Sequence, residues 1–97
     1  MATVSYSRRA LSDLERLIDF LMANDPPAAT PTAALIVSAV EALEHHPLIG
    51  RPAESNFREL VISRGKTGYL ALYRYDEARN RVLVLTVRHQ REAGYTN

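Results

Sequence analysis

Residues 58–89 read RELVISRGKTGYLALYRYDEARNRVLVLTVRH, and the spacing of apolar side chains in this stretch decides the fold. From Arg58 onward the apolar positions recur with period two, as in strands whose successive side chains point to opposite faces. Strands are expected over Arg58–Ser63, Tyr69–Asp76 and Arg81–His89. Arg64-Gly65-Lys66-Thr67-Gly68 supplies a turn between the first two, and the polar run Asp76–Asn80 supplies the second hairpin loop. In the middle strand Tyr69, Ala71, Tyr73 and Tyr75 share one face, while Leu70, Leu72 and Arg74 share the other. Regular alternation in the last strand sets Leu83, Leu85, Val87 and His89 against Val82, Val84, Thr86 and Arg88. Apolar residues on both faces mark central strands, covered on each side for part of their length.

Upstream of residue 57 the period is helical. Ala10, Leu11, Leu14, Leu17, Ile18 and Leu21 form one buried stripe, with Ser7 as cap. Arg9, Asp13, Glu15, Arg16 and Asp19 are assigned to the outer side. Asn24-Asp25-Pro26-Pro27 breaks this helix. A second stripe follows at Leu35, Ile36, Ala39, Val40 and Leu43, ending at His45-His46-Pro47. Its start is ambiguous. Asp25 could cap with Pro26 in the first turn, but Thr30 as cap with Pro31 at the first helical position is the cleaner arrangement. Ala2–Tyr6 reads as a short strand, and Leu48 to Phe57 as a loop. The fold expected is α+β in one domain over residues 1–97. An N-terminal strand leads into an αα-hairpin, and a three-stranded antiparallel meander completes a small sheet with the first strand at its edge.

Composition narrows the class. With 46% apolar and 24% charged residues in 97, the chain is neither a disordered tail nor a fibrous repeat. Its longest nearly apolar run, Ala33–Val40, falls far short of the roughly 18 residues that span a bilayer. The Arg8-Arg9 start has no h-region, so a cytoplasmic location without a membrane partner is expected. The absence of cysteine excludes disulfides and thiol chemistry. Charge is asymmetric: residues 1–50 carry three arginines against six acids, whereas residues 51–97 carry eight arginines and Lys66 against five acids. Such a basic half suits an acidic ligand, although a solvated surface explains it as well.

Several side chains could carry chemistry. Arg74, beside an apolar row, is either a fixed cation for phosphate or one half of a salt bridge at the core's edge. His89 could serve as an acid or base, as histidines can near neutral pH, yet single histidines at strand ends usually just pack. Arg58, Arg64 and Lys66 cluster about the first hairpin turn and could meet phosphates. His45, His46 and His89 match no zinc spacing, and neither a metal nor a cofactor is expected.

The whole chain, from about Val4 to Tyr95, resembles the RelE/ParE superfamily of type II toxin–antitoxin toxins. Four phrases carry the likeness: Tyr6-Ser7-Arg8-Arg9-Ala10 into Asp13-Leu14; His46-Pro47-Leu48-Ile49-Gly50-Arg51-Pro52; Arg58-Glu59-Leu60 leading to Gly68-Tyr69 and Leu72-Tyr73-Arg74-Tyr75; and Val87-Arg88-His89-Gln90-Arg91-Glu92. The resemblance implies a growth-inhibiting toxin neutralised by a protein antitoxin in a hetero-oligomer. In the ribonuclease branch, which cuts mRNA on the ribosome, the catalytic set would fall on Arg74, Arg88, His89 and Tyr95. Arg58, Arg64, Lys66 and Arg91 would contact nucleic acid or partner. Ribosome-dependent mRNA cleavage is the first expectation. The ParE branch instead inhibits DNA gyrase without that catalytic set, and a non-toxic module with the same fold is a third reading.

Overall fold

Ser7 marks the point where extended chain becomes helix. Its extended backbone and its hydroxyl, accepting from the Ala10 N–H at 3.0 Å, cap helix α1 (Arg8–Asn24). The computed structural model describes residues 1–64 and 67–90, with backbone alone for Ser63, Arg64 and Thr67. Before the cap lies strand β1 (Thr3–Tyr6). After α1 come helix α2 (Pro26–Glu41), a 3-10 turn over Ala42–Glu44, and the two-residue strand β2 (Arg51–Pro52). A second 3-10 turn at Glu54–Asn56 leads into β3 (Arg58–Arg64), β4 (Thr67–Asp76) and β5 (Arg81–His89).

Among the described residues five strands form one sheet in the order β1-β5-β4-β3-β2. The β3-β4-β5 meander is antiparallel, and β1 lies parallel to β5 at the edge. The α+β architecture is therefore as expected. Two features of the expected loop at residues 48–57 are new. Arg51 and Pro52 pair with Glu59 and Arg58, and the backbone turns through positive φ at Ser55 and Asn56.

The helical hairpin covers one face of the sheet. Ala10 and Leu17 of α1 and Ile36 and Val40 of α2 pack with Leu43 onto Ile62, Tyr69, Ala71, Tyr73, Val82, Val84 and Val87. Full burial of each larger aliphatic chain contributes about 1.5–3 kcal/mol. The helical stripe differs from expectation at two positions. Leu11 is 54% exposed, while Asp13, assigned to the outer side, is buried at 8%. Asp13 faces the sheet because its carboxylate has a backbone partner there.

Helix α2 begins at Pro26, so the start at Pro31 is corrected. Pro26 and Pro27 occupy the first turn, where no N–H is needed, and Pro31 lies inside the helix. Losing one intrahelical bond at Pro31 is offset by the packing of this first stretch, which buries Ala29 and Thr32.

Opposite the β1 edge, Tyr73 anchors the chain that leaves the hairpin. Its ring is fully buried; its hydroxyl donates to the Pro47 carbonyl at 2.7 Å and accepts from the Gly50 N–H at 2.9 Å. A Cβ on Gly50 would sit 2.7 Å from the Tyr73 ring and hydroxyl and 3.0 Å from the Glu59 carbonyl. Gly50→Ala is therefore expected to lower the unfolding free energy by about 1–3 kcal/mol in urea titration. Burial raises the Tyr73 phenol above its ordinary value, against smaller opposing effects of the Gly50 N–H and Arg58. Burial, reinforced by Glu41, does the same to Tyr6. A raised folded-state value means this stabilisation is fully present below about pH 10 and is lost as pH rises through the folded-state values. Stability measured from pH 8 to 11 should fall on the alkaline side, and Tyr73→Phe should make that fall shallower.

Candidate functional site

The sheet face away from the helices is built by β3, β4 and β5. Paired residues on adjacent strands share a face, so the register states its composition. Val61, Leu70 and Arg88 form one row; Glu59, Leu72 and Thr86 form the next; Arg74 and Leu83 form the third. Glu59, Leu70, Leu72, Thr86 and Arg88 line a depression of about 200 Å³. Arg74 lies four residues from Leu70 along β4, roughly 13 Å at strand spacing, and is exposed. The two arginines thus bracket a shallow floor of two leucines and a threonine hydroxyl. Glu59 is already engaged, accepting from Arg51 Nε at 2.8 Å and Nη2 at 2.5 Å.

Regular alternation does not hold in β5. The ladder shifts between Leu72 and Tyr73: Tyr73 pairs with Val84 but Leu72 with Thr86, leaving Leu85 unmatched. Beyond this bulge the faces exchange, which corrects the expected grouping. Val82, Val84 and Val87 face the helices, while Thr86 and Arg88 join the Arg74 side. His89 pairs with Tyr69 and meets its ring edge-on, centroids 5.2 Å apart. Arg74 and Arg88 therefore share one face of the sheet, and His89 sits on the opposite face.

The remaining expected site residues divide. Arg58 pairs with Tyr73 on the helix side and donates from Nη1 to the Leu48 and Gly50 carbonyls at 3.2 and 2.8 Å. Its observed contacts hold the 48–50 loop. Lys66, Arg91 and Tyr95 lie outside the described residues, as does the Arg64 side chain. A second hollow of about 390 Å³ opens at the tip of the helical hairpin, between Leu21, Pro27, Pro31 and Tyr69. Among the described residues no three His, Asp or Glu side chains gather as metal ligands.

What the open face can do follows from its groups. Guanidinium keeps its proton at any physiological pH, so Arg74 and Arg88 can hold an anion but cannot relay a proton. Sequence reasoning missed Asp13 and the bulge. The signals for them were an acid within the apolar stripe of α1, one turn before Leu17, and the uneven spacing of Val82, Val84 and Val87.

A sequence model of the ParE toxins of type II toxin–antitoxin systems matches residues 4–94. The chain belongs to the RelE/ParE toxin superfamily. This toxin is 38% identical over 93 residues to toxin RelE3 of Caulobacter vibrioides, covering 95% of this chain and 98% of the relative. Toxin RelE1 of the same organism is 38% identical over 72 residues, or 74% and 77% of the two chains. Among solved structures, the toxin resembles a chain of the Mycobacterium tuberculosis RelBE2 toxin–antitoxin complex at TM-score 0.67 and 29% identity, covering 92% and 98%. It shares its fold with a chain of the chromosomal ParDE system of P. aeruginosa at TM-score 0.75 and 24% identity, covering 92% and 96%.

Removing the Arg58 fork leaves two loop carbonyls without their cation. Arg58→Ala should lower stability by about 1.5–3 kcal/mol in thermal or urea unfolding. Growth arrest per folded molecule should be unchanged, and a selective loss of arrest at full stability would make Arg58 a target contact instead.

Proposed function

We propose that this toxin arrests growth by binding DNA gyrase through the open sheet face, without catalysing a reaction. The observation that carries this reading is the separation of groups. Arg74 and Arg88 share one face, while His89, the proton carrier a cleavage reaction would draw on, packs against Tyr69 on the other. Binding requires cations and an apolar floor; cutting RNA also requires proton movement at the same phosphate. The family model that matches residues 4–94 is of ParE toxins while the 38%-identical relatives are RelE toxins, so this reading rests on the geometry of the face.

Ribosome-dependent mRNA cleavage is the second reading, favoured by one observation: both guanidinium groups stand on the open face, as charge stabilisation of a phosphorane would need. In that reaction Arg74 and Arg88 would share the charge, His89 would act only if it could reach across the strand end, and Tyr95 would complete the set. Arg64, Lys66 and Arg91 would contact the nucleic acid.

In either case the neutralising partner is an antitoxin, forming a cytoplasmic hetero-oligomer. The RelBE2 neighbour comes from such a complex. An acidic antitoxin segment that folds on binding would meet the arginines of the sheet half, and an apolar helix would lie in the α1–α2 groove, where Leu21, Pro27 and Pro31 line the larger hollow.

Purified toxin added to a gyrase supercoiling assay and to a ribosome-programmed mRNA assay separates the readings. Supercoiling should be inhibited, with Arg74→Ala and Arg88→Ala each weakening inhibition about tenfold or more, as loss of a charge-assisted contact implies, and His89→Gln leaving it intact. Cleaved mRNA with normal supercoiling would select the second reading. No effect in either assay, with normal growth on expression, would mark a non-toxic module.

A further inference from the structure

The unmatched residue in β5 decides whether Arg88 shares the open face with Arg74, and its backbone shows what holds it. Continuing the Arg74–Leu83 register without a bulge would pair Leu70 with Val87 and Tyr69 with Arg88. Arg88 would then lie under the helices and Val87 on the open face. One extra residue reverses both. Insertions of this kind re-aim side chains in other sheets.

Strand β1 pairs with β5 only as far as Tyr6 opposite Val84. Beyond it the start of α1 takes over the β5 edge. The Ser7 N–H donates to the Val84 carbonyl at 2.8 Å, and the Ser7 hydroxyl donates to the Leu85 carbonyl at 2.9 Å. Consecutive carbonyls in a regular strand point to opposite edges; here both point to Ser7, as an inserted residue requires. The next free edge donor, the Val87 N–H, donates to Asp13 Oδ2 at 3.0 Å in a buried contact. Asp13 Oδ1 lies 3.7 Å from Arg16 Nη2.

We infer that Asp13 is a positioning residue for Arg88: its carboxylate, with the Ser7 hydroxyl, pins the β5 bulge at Leu85 and so turns Arg88 onto the face that carries Arg74. An extra residue between Val84 and Val87 puts Val87 in the core and Arg88 on the open face, and the contacts of Ser7 and Asp13 hold it there. Asp13 touches neither arginine and acts wholly through the Val87 amide. The functional consequence rests on the proposal that Arg74 and Arg88 together form the acting face.

The test is carried out on full-length Asp13→Ala, Asp13→Asn and Ser7→Ala toxin by NMR and by the supercoiling assay. In Asp13→Ala, Val87 amide exchange should accelerate about tenfold or more, as expected for losing one hydrogen bond to a charged acceptor. The cross-strand NOE between Leu70 and Arg88 should weaken, and gyrase inhibition should fall with it. Asp13→Asn keeps an oxygen acceptor and should restore all three. Ile36→Val, which trims the core without removing the Ser7 or Asp13 contacts, serves as the stability-matched control and should keep the NOE and full inhibition. If Asp13→Ala fails to fold, Ser7→Ala should give the same loss of the NOE and of inhibition. An unchanged Leu70–Arg88 NOE and Val87 exchange in a folded Asp13→Ala or Ser7→Ala protein would overturn the positioning role. If the NOE is lost as expected while Arg88→Ala itself leaves toxicity intact, the positioning stands and the functional reading of the arginine face fails.

Discussion

The Val87 N–H, on the outer edge of β5, has no strand to donate to because β1 ends at Tyr6. A buried backbone donor left unpaired costs about 1–3 kcal/mol, so something must reach it. Asp13 does so from α1. Ser7 works beside it, capping α1 and tying the start of that helix to the Val84 and Leu85 carbonyls of β5. The helix, the parallel edge strand and the bulge are thus one joint construction. Changing the α1 start would leave Val84, Leu85 and Val87 to find new partners together.

A second polar anchor works at the far side of the sheet. Tyr73 occupies the middle of β4, and its hydroxyl holds the Pro47 carbonyl and the Gly50 N–H. Arg58 closes the same loop through the Leu48 and Gly50 carbonyls. Between these anchors the core is mostly aliphatic, and its packing does not by itself dictate strand register. The polar contacts at the two ends supply that specification. Each satisfies groups that a shifted register would leave bare.

Functional geometry follows from these anchors. A face with two arginines over Leu70, Leu72 and Thr86 exists because β4 alternates regularly and β5 does not. His89 belongs to the helix side for the same reason, packed against Tyr69. The charge asymmetry visible in the chain becomes a directional feature only after the sheet sorts it. Arg58 and Arg51 are drawn into loop and strand contacts, while Arg74 and Arg88 remain on the open face.

The order of the main elements was legible in the residues alone, because periodicity, prolines and turn residues are local signals; the superfamily was legible only through the resemblance of four sequence phrases. The α1 helix, the break near Asp25 and the three-stranded meander followed from spacing within a few residues. So did Arg74 as a candidate, one position off an apolar row. The start of α2 was misplaced because burial of Ala29 and Thr32 outweighs the helix penalty of Pro31, and burial is set by packing against other elements. Asp13 was assigned to solvent because helical spacing cannot reveal an N–H waiting on another strand. The side of the sheet on which Arg88 and His89 stand was decided only in three dimensions. A strand's alternation is intrinsic to the chain, but the place where it slips by one residue is set by the groups along its edge, here a serine and an aspartate more than 70 residues earlier.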